Sequence, residues 1–409
     1  MSKLKGVIFS VENTLLEKGE MNMDVFSEVE RLIAYLRSKG IEFVVLSNRH
    51  WTLQPSGQTL ESALKERWGN FNYFCASLDS SIPRKPRPQA VSHALKTMGW
   101  DSTEVVYIGS SVMDMRTAVN SDLLFLRAKW FANDTEYGLP FETPLDIARF
   151  IDTFCLRGHW WCMSIQDGDF EYYSLAPFST YKPKYAFYSQ DARAAAKSGQ
   201  GHPEFWLSAL VTSIYFTGLH KRIDYITVYP GHKQGAGSPI MEEILDLFGK
   251  CFRARYIPDM IVRHKDSVKS QTAAQKGIKV DHLNQLNTIK LNPTPEKSPG
   301  KAYAKTPLRE GKTVLVVDDF CTRGHSLESA RTFLRQTKVD VIMVSWLKTI
   351  NTDFKRLTPY EPFDPHQPTI FKSAVIEKEY PFAQHFSDHM APEEIDSLFR
   401  AYEDWGWPE

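Results

Sequence analysis

From Leu4 onward, short apolar runs alternate with helical patterns, and this alternation restricts the fold more than any other feature of the chain. LKGVIFSV, EFVVLSN, Phe71 to Ala76, EVVYIGS and LLFLRA read as strands, and about Met23 to Lys39 and Pro88 to Met98 as helices. In the first helix Val25, Val29, Leu32, Ile33 and Leu36 fall on one face, and Gly40 stands where a helix ends. Such a chain winds into a parallel sheet covered by helices, with ligands received at the carboxyl ends of the strands. The expected class is α/β with two doubly wound parallel-sheet domains. They should span residues 1–150 and 151–390, with a C-terminal helix and tail over 391–409.

The second half carries its own strand–turn–helix stretch, TVLVVDDFCTRGHSLESAR from Thr313 to Arg331. The apolar run Val314 to Val317 predicts a buried strand. Two acids, Asp318 and Asp319, come next, then a small-residue turn (Cys321, Thr322, Arg323, Gly324, His325, Ser326) and the helical pattern Leu327, Ala330, Phe333, Leu334. A turn of this kind, with a helix N-terminus behind it, favours an anion. The same stretch also serves as an ordinary packing unit with a solvated acid pair. Upstream, DYITVYPGHKQGAG runs from a strand into a glycine-rich loop at Pro230, Gly231, His232 and Lys233, where a diphosphate could bind. HWWCMSIQDGDFEYYSLAPF reads as two aromatic-rich strands joined at Asp167-Gly168.

Lys and Arg together number 49, as do Asp and Glu. No overall field therefore draws the chain to nucleic acid or membrane. The 5 cysteines are scattered without zinc-type spacing. No apolar run approaches membrane-spanning length, and the start is strand-like without a signal peptide; a cytoplasmic, reducing location is expected.

Residues 4–130 resemble the haloacid dehalogenase (HAD) phosphatase family at four motifs. VIFSVENTL is similar to its first motif, Ser47-Asn48 to the second, Lys85-Pro86 to the third and VVYIGSSVMDMRTAV to the fourth. The short segments between them imply a capless, HAD-like Rossmannoid domain. The family's carboxylate nucleophile, which also binds Mg²⁺, is Ser10 here. Its general acid/base is Glu12, and the first acid of its fourth motif is Ser110, leaving Asp114. The site Ser10, Glu12, Ser47, Lys85, Ser110 and Asp114 thus reads as degenerate, and phosphatase activity is expected to be absent, because a hydroxyl cannot form an aspartyl-phosphate.

Thr313 to Arg331 resembles the phosphoribosyl pyrophosphate (PRPP) signature of type I phosphoribosyltransferases, and the run from Arg263 to Asn287 those of competence operons. The resemblance implies a core with a β hood at about 155–190. Asp318 and Asp319 would hold the ribose, directly or through Mg²⁺. Cys321 to Ser326 would hold the 5′-phosphate, residues 230–233 the pyrophosphate, and Lys269 would reach the leaving group. Arg323 departs from the family's Thr or Ser. The function so implied is transfer of a phosphoribosyl group from PRPP to or from a nitrogen nucleophile. Two alternatives stay open: a non-catalytic PRPP- or nucleotide-sensing or assembly subunit of a bacterial system, by analogy one of phage defence, and a HAD-type phosphohydrolase. The partner expected is a small molecule, with a homo-oligomer or a protein partner left open.

Overall fold

The computed structural model describes residues 4–235, 239–268 and 281–408. Its first unit is a sheet of β1 (Gly6–Phe9), β2 (Glu42–Ser47), β3 (Asn72–Cys75), β4 (Val105–Gly109), β5 (Leu124–Ala128) and β6 (Leu139–Phe141). The strand order is β3-β2-β1-β4-β5-β6, and every pair is parallel. The helix Met23–Ser38 shows why the pattern folds this way. Asn22 caps it by accepting from the Val25 amide, and Phe26, Val29, Leu32, Ile33 and Leu36 bury one stripe. Gly40 follows at a φ of 69°, the left-handed conformation that releases the chain into β2.

The second unit adds β7 (Met163–Asp167), β8 (Phe170–Phe178), β9 (Tyr225–Val228), β10 (Arg255–Tyr256), β11 (Ile261–Arg263), β12 (Ile289–Leu291), β13 (Glu296–Ser298), β14 (Lys301–Ala302), β15 (Thr313–Cys321) and β16 (Asp340–Thr349). Its main sheet runs β10-β9-β15-β16-β8-β7, with β15 central. All its pairs are parallel except β7 with β8. The aromatic ribbon expected as a hood is therefore part of this sheet. β8 pairs along β16, and Trp160, Tyr172 and Phe170 are fully buried. Apolar side chains on both faces of β8 leave it no solvated side to spread over a ligand.

The two units share one apolar core. The helix Pro203–Phe216 is buried along nearly its whole length, and the Tyr215 hydroxyl lies 2.7 Å from the Ser102 carbonyl and 2.6 Å from that of Val105. The chain's last helix, Ala391–Tyr402, packs on β8 and is followed by Trp405 and Trp407, which reach back to the first unit. Among the described residues no helix is long and apolar enough to cross a membrane.

Candidate functional site

Three strand ends of the first sheet converge. β1 leads into Ser10, whose amide donates to the Ile108 carbonyl at 2.8 Å. β2 ends at Ser47 and Asn48, and β4 runs into Ser110, Ser111 and the helix Val112–Asn120. Ser111 caps that helix, and Asp114 completes a reciprocal capping box, the Ser-x-x-Asp spacing visible in the sequence. The box fixes the Asp114 carboxylate at the floor of the site, fully buried. Gly109 leaves the room for it, since a Cβ there would lie 2.7 Å from the Asp114 Cβ.

Both Asp114 oxygens are occupied. Oδ1 accepts from Lys85 Nζ at 2.7 Å and from the Tyr107 hydroxyl at 3.0 Å. Oδ2 accepts from the Ser110 and Ser111 amides at 3.2 and 3.0 Å and from Ser111 Oγ at 2.7 Å. Burial alone would push this carboxyl up, but the Lys85 ammonium and these donors hold it below its ordinary value. Lys85 Nζ also donates to Ser10 Oγ at 2.9 Å. Asn48 aims the lysine by bracketing its backbone, donating to the Lys85 carbonyl at 3.0 Å and accepting from its amide at 2.7 Å.

Of the residues expected here, Ser10, Lys85 and Asp114 therefore form one connected cluster. Ser47 turns away, donating to the Arg49 carbonyl at 2.8 Å, and Ser110 Oγ donates to the Ala132 carbonyl at 3.1 Å. Glu12 is exposed to solvent two residues beyond Ser10. Sequence reasoning missed Tyr107. It lies inside a strand with no motif to mark it, and only its β4 position, two residues before Gly109, puts its hydroxyl on Asp114.

The second unit arranges its residues differently from a phosphate cradle. Asp318 and Asp319 are pushed up by burial and, for Asp318, by its neighbouring acid, so the pair resists carrying two charges. The turn behind them closes on a cation of the protein's own. Lys348, fully buried, donates to the carbonyls of Thr322 and Thr352 and to Thr352 Oγ at 2.6 Å. Cys321 is buried, and Gly324, at a φ of 77°, packs so close to Phe354 that a Cβ would fall 2.4 Å from its ring. The His325 ring lies tilted against that of His282, centroids 4.3 Å apart, and burial holds the two imidazoles down, to about 3 and about 4. Ser326 is half-buried in the first turn of the following helix, and Arg323 is exposed, its carbonyl accepting from the Lys355 amide at 3.2 Å. In the glycine-rich loop, Arg263 donates to the carbonyls of Pro230 and Gly231, and the Ser267 amide to that of His232 at 2.9 Å; Lys233 is exposed. Lys269 lies outside the described residues. Among the described residues, no three His, Cys, Asp or Glu side chains converge to hold a metal ion, at Asp318 and Asp319 or elsewhere.

Comparison with known proteins finds matches over the segment that carries the first site. Residues 5–122 match the family of haloacid dehalogenase-like hydrolases. A phosphoglycolate phosphatase of Neisseria gonorrhoeae is 30% identical over 95 residues, which are 23% of this chain and 37% of that protein. This chain thus spans little more than a third of that relative. Among solved structures, a HAD-superfamily hydrolase of Geobacter sulfurreducens aligns at 15% identity over 35% of this chain and 97% of its own, with a TM-score of 0.27. One from Ehrlichia chaffeensis aligns at 17% over 37% and 98%, with a TM-score of 0.28. Residues 5–122 thus carry a HAD-like hydrolase domain and supply β1 to β4 of the six-stranded parallel sheet, which β5 and β6 complete beyond the matched segment.

Two expectations are corrected by these matches. The phosphoribosyltransferase reading, with PRPP as substrate or as sensed ligand, is not upheld: the matching family is a hydrolase family and the curated relative a phosphatase. The geometry gives the physical reason, since the small-residue turn is filled by Lys348 and Phe354 and the acid pair is driven toward its protonated form. The expected absence of phosphatase activity is corrected by the same matches.

HAD-superfamily members use Mg²⁺, but the donor set around Asp114 does not fit that ion. Mg²⁺ requires near-octahedral oxygens, usually including carboxylates. Here the buried carboxylate spends both oxygens on five donors, and hydroxyls at Ser10 and Ser110 stand where further charge would be needed.

Proposed function

We propose that the chain is a phosphomonoester hydrolase of the HAD-like class, with its reaction centre at the carboxyl ends of β1, β2 and β4. The observation that supports this most is the buried Lys85–Asp114 pair reaching Ser10, inside the segment that matches the hydrolase family. Asp114 holds the lysine side chain in place, and Asn48 fixes its backbone. The ammonium then meets the phosphoryl oxygens, where negative charge must be stabilised in the transition state. Glu12, open to solvent, takes a proton from the attacking water and returns one to the departing alcohol. Water adds to phosphorus as the ester oxygen leaves, so a phosphomonoester and water give an alcohol and inorganic phosphate. No covalent intermediate on Ser10 is required. Small phosphomonoesters such as phosphoglycolate, the substrate in the name of the Neisseria relative, are the first substrates to try. Released phosphate should rise above the blank with wild type and fall about 10²–10⁴-fold in Glu12→Gln, the usual size of a lost acid/base group. Release unchanged in that variant would contradict the role given to Glu12.

A further inference from the structure

We infer that this reaction centre works without a divalent cation, the Lys85 ammonium being the positive charge built into it. The inference rests on the phosphohydrolase reading for its function, but its observations concern only the donors around Asp114. Lys85 and Asp114 neutralise each other at 2.7 Å, so the cluster has no net negative charge to hold a metal. The remaining lone pairs of Asp114 face the Tyr107 hydroxyl, two backbone amides and Ser111 Oγ. Ser110 Oγ and Ser47 Oγ donate away into backbone carbonyls, and Ser10 Oγ already accepts from the ammonium. A dication placed among these atoms would meet a like charge on Lys85, a single carboxylate already taken by that ammonium and four other donors, and uncharged hydroxyls elsewhere. A phosphate group, by contrast, meets in Lys85 a cation whose position is set by four partners: Asp114, Ser10, Tyr107 and, through its backbone, Asn48. Ser10 and Ser110 are thus the residues that decide metal dependence, by withholding the carboxylates a cation would need.

The test uses the full chain carrying Asp318→Asn and Asp319→Asn, so that the second acid pair contributes nothing, and reads Mn²⁺ binding by the loss of its free electron-spin signal. The signal should match buffer alone, and the unfolding temperature should be the same in EDTA and in millimolar Mg²⁺. Adding Ser10→Asp and Ser110→Asp should create a site that removes about one Mn²⁺ per chain and makes the unfolding temperature rise with Mg²⁺. If the double substitution does not fold without metal, Ser10→Asp alone should show the same gain more weakly. Stoichiometric Mn²⁺ on the parent chain, or a folded variant that gains none, overturns the inference. Phosphate release assayed in parallel keeps the two readings apart. Release that needs Mg²⁺ leaves the hydrolase standing and sinks the metal-free centre, whereas no release in either condition, with no Mn²⁺ bound, does the reverse.

Discussion

Asp114 and Glu328 are both buried carboxylates, and their neighbours send them in opposite directions. Asp114 lies below its ordinary value of 3.8 because Lys85 and four further donors outweigh burial. Its stabilising share is therefore present above the unfolded value and is lost as pH falls below about 4 through the lower folded one. Lys85→Ala should leave that carboxylate buried without its countercharge and cost ~3–5 kcal/mol in urea unfolding. A loss within 1 kcal/mol (roughly the exposed-pair range) would mean the pair is solvated. Glu328 is pushed up to about 7 by burial, despite Arg331 at 3.2 Å and the Leu357 amide at 2.9 Å. Its folded form holds a proton that the unfolded chain releases from about 4.5, so stability should fall as pH rises from about 4.5 to about 7. Glu328→Gln should flatten that slope, and a slope unchanged would place the titration elsewhere.

At the scale of single elements, Gly109 is the most exacting position. Gly109→Ala would drive a methyl into Asp114 and should cost ~1–3 kcal/mol, with loss of phosphate release. An alanine variant as stable and active as wild type would show that β4 can shift. Most elements around the first site are legible from the sequence because their periodicity is strong. The helices Met23–Ser38 and Pro88–Met98 and five strands stand close to where the apolar pattern sets them. β6 is not legible: three residues with Pro140 in the middle carry no alternation to read. The Ser111–Asp114 box is readable by spacing, but the Asp114–Tyr107 contact depends on which way β4 faces. In the second unit the strand and the helix His325–Arg335 are read rightly, but β15 runs on through Asp318, Asp319 and Cys321, which the sequence places after the strand. The chemistry of the turn is not legible, because what fills it is Lys348, far along the chain and unmarked by any motif.

Across the whole molecule the two sheets are held by a shared core and a C-terminal tail. Trp405 Nε1 donates to Asp152 at 2.8 Å, Trp407 Nε1 to Glu28 at 2.9 Å, and both rings meet Tyr35 edge-on. Residues 1–150 produced alone would expose the faces that Pro203–Phe216 and this tail cover, and should be markedly less soluble than the full chain. A stable, monomeric fragment would contradict the shared core. The central claim concerns the first site, and phosphate release from p-nitrophenyl phosphate or phosphoglycolate by the full chain tests it most directly. The account predicts turnover that survives in Ser10→Ala and is lost in Asp114→Asn. No release above the blank from the folded wild-type chain, with or without Mg²⁺, would contradict it.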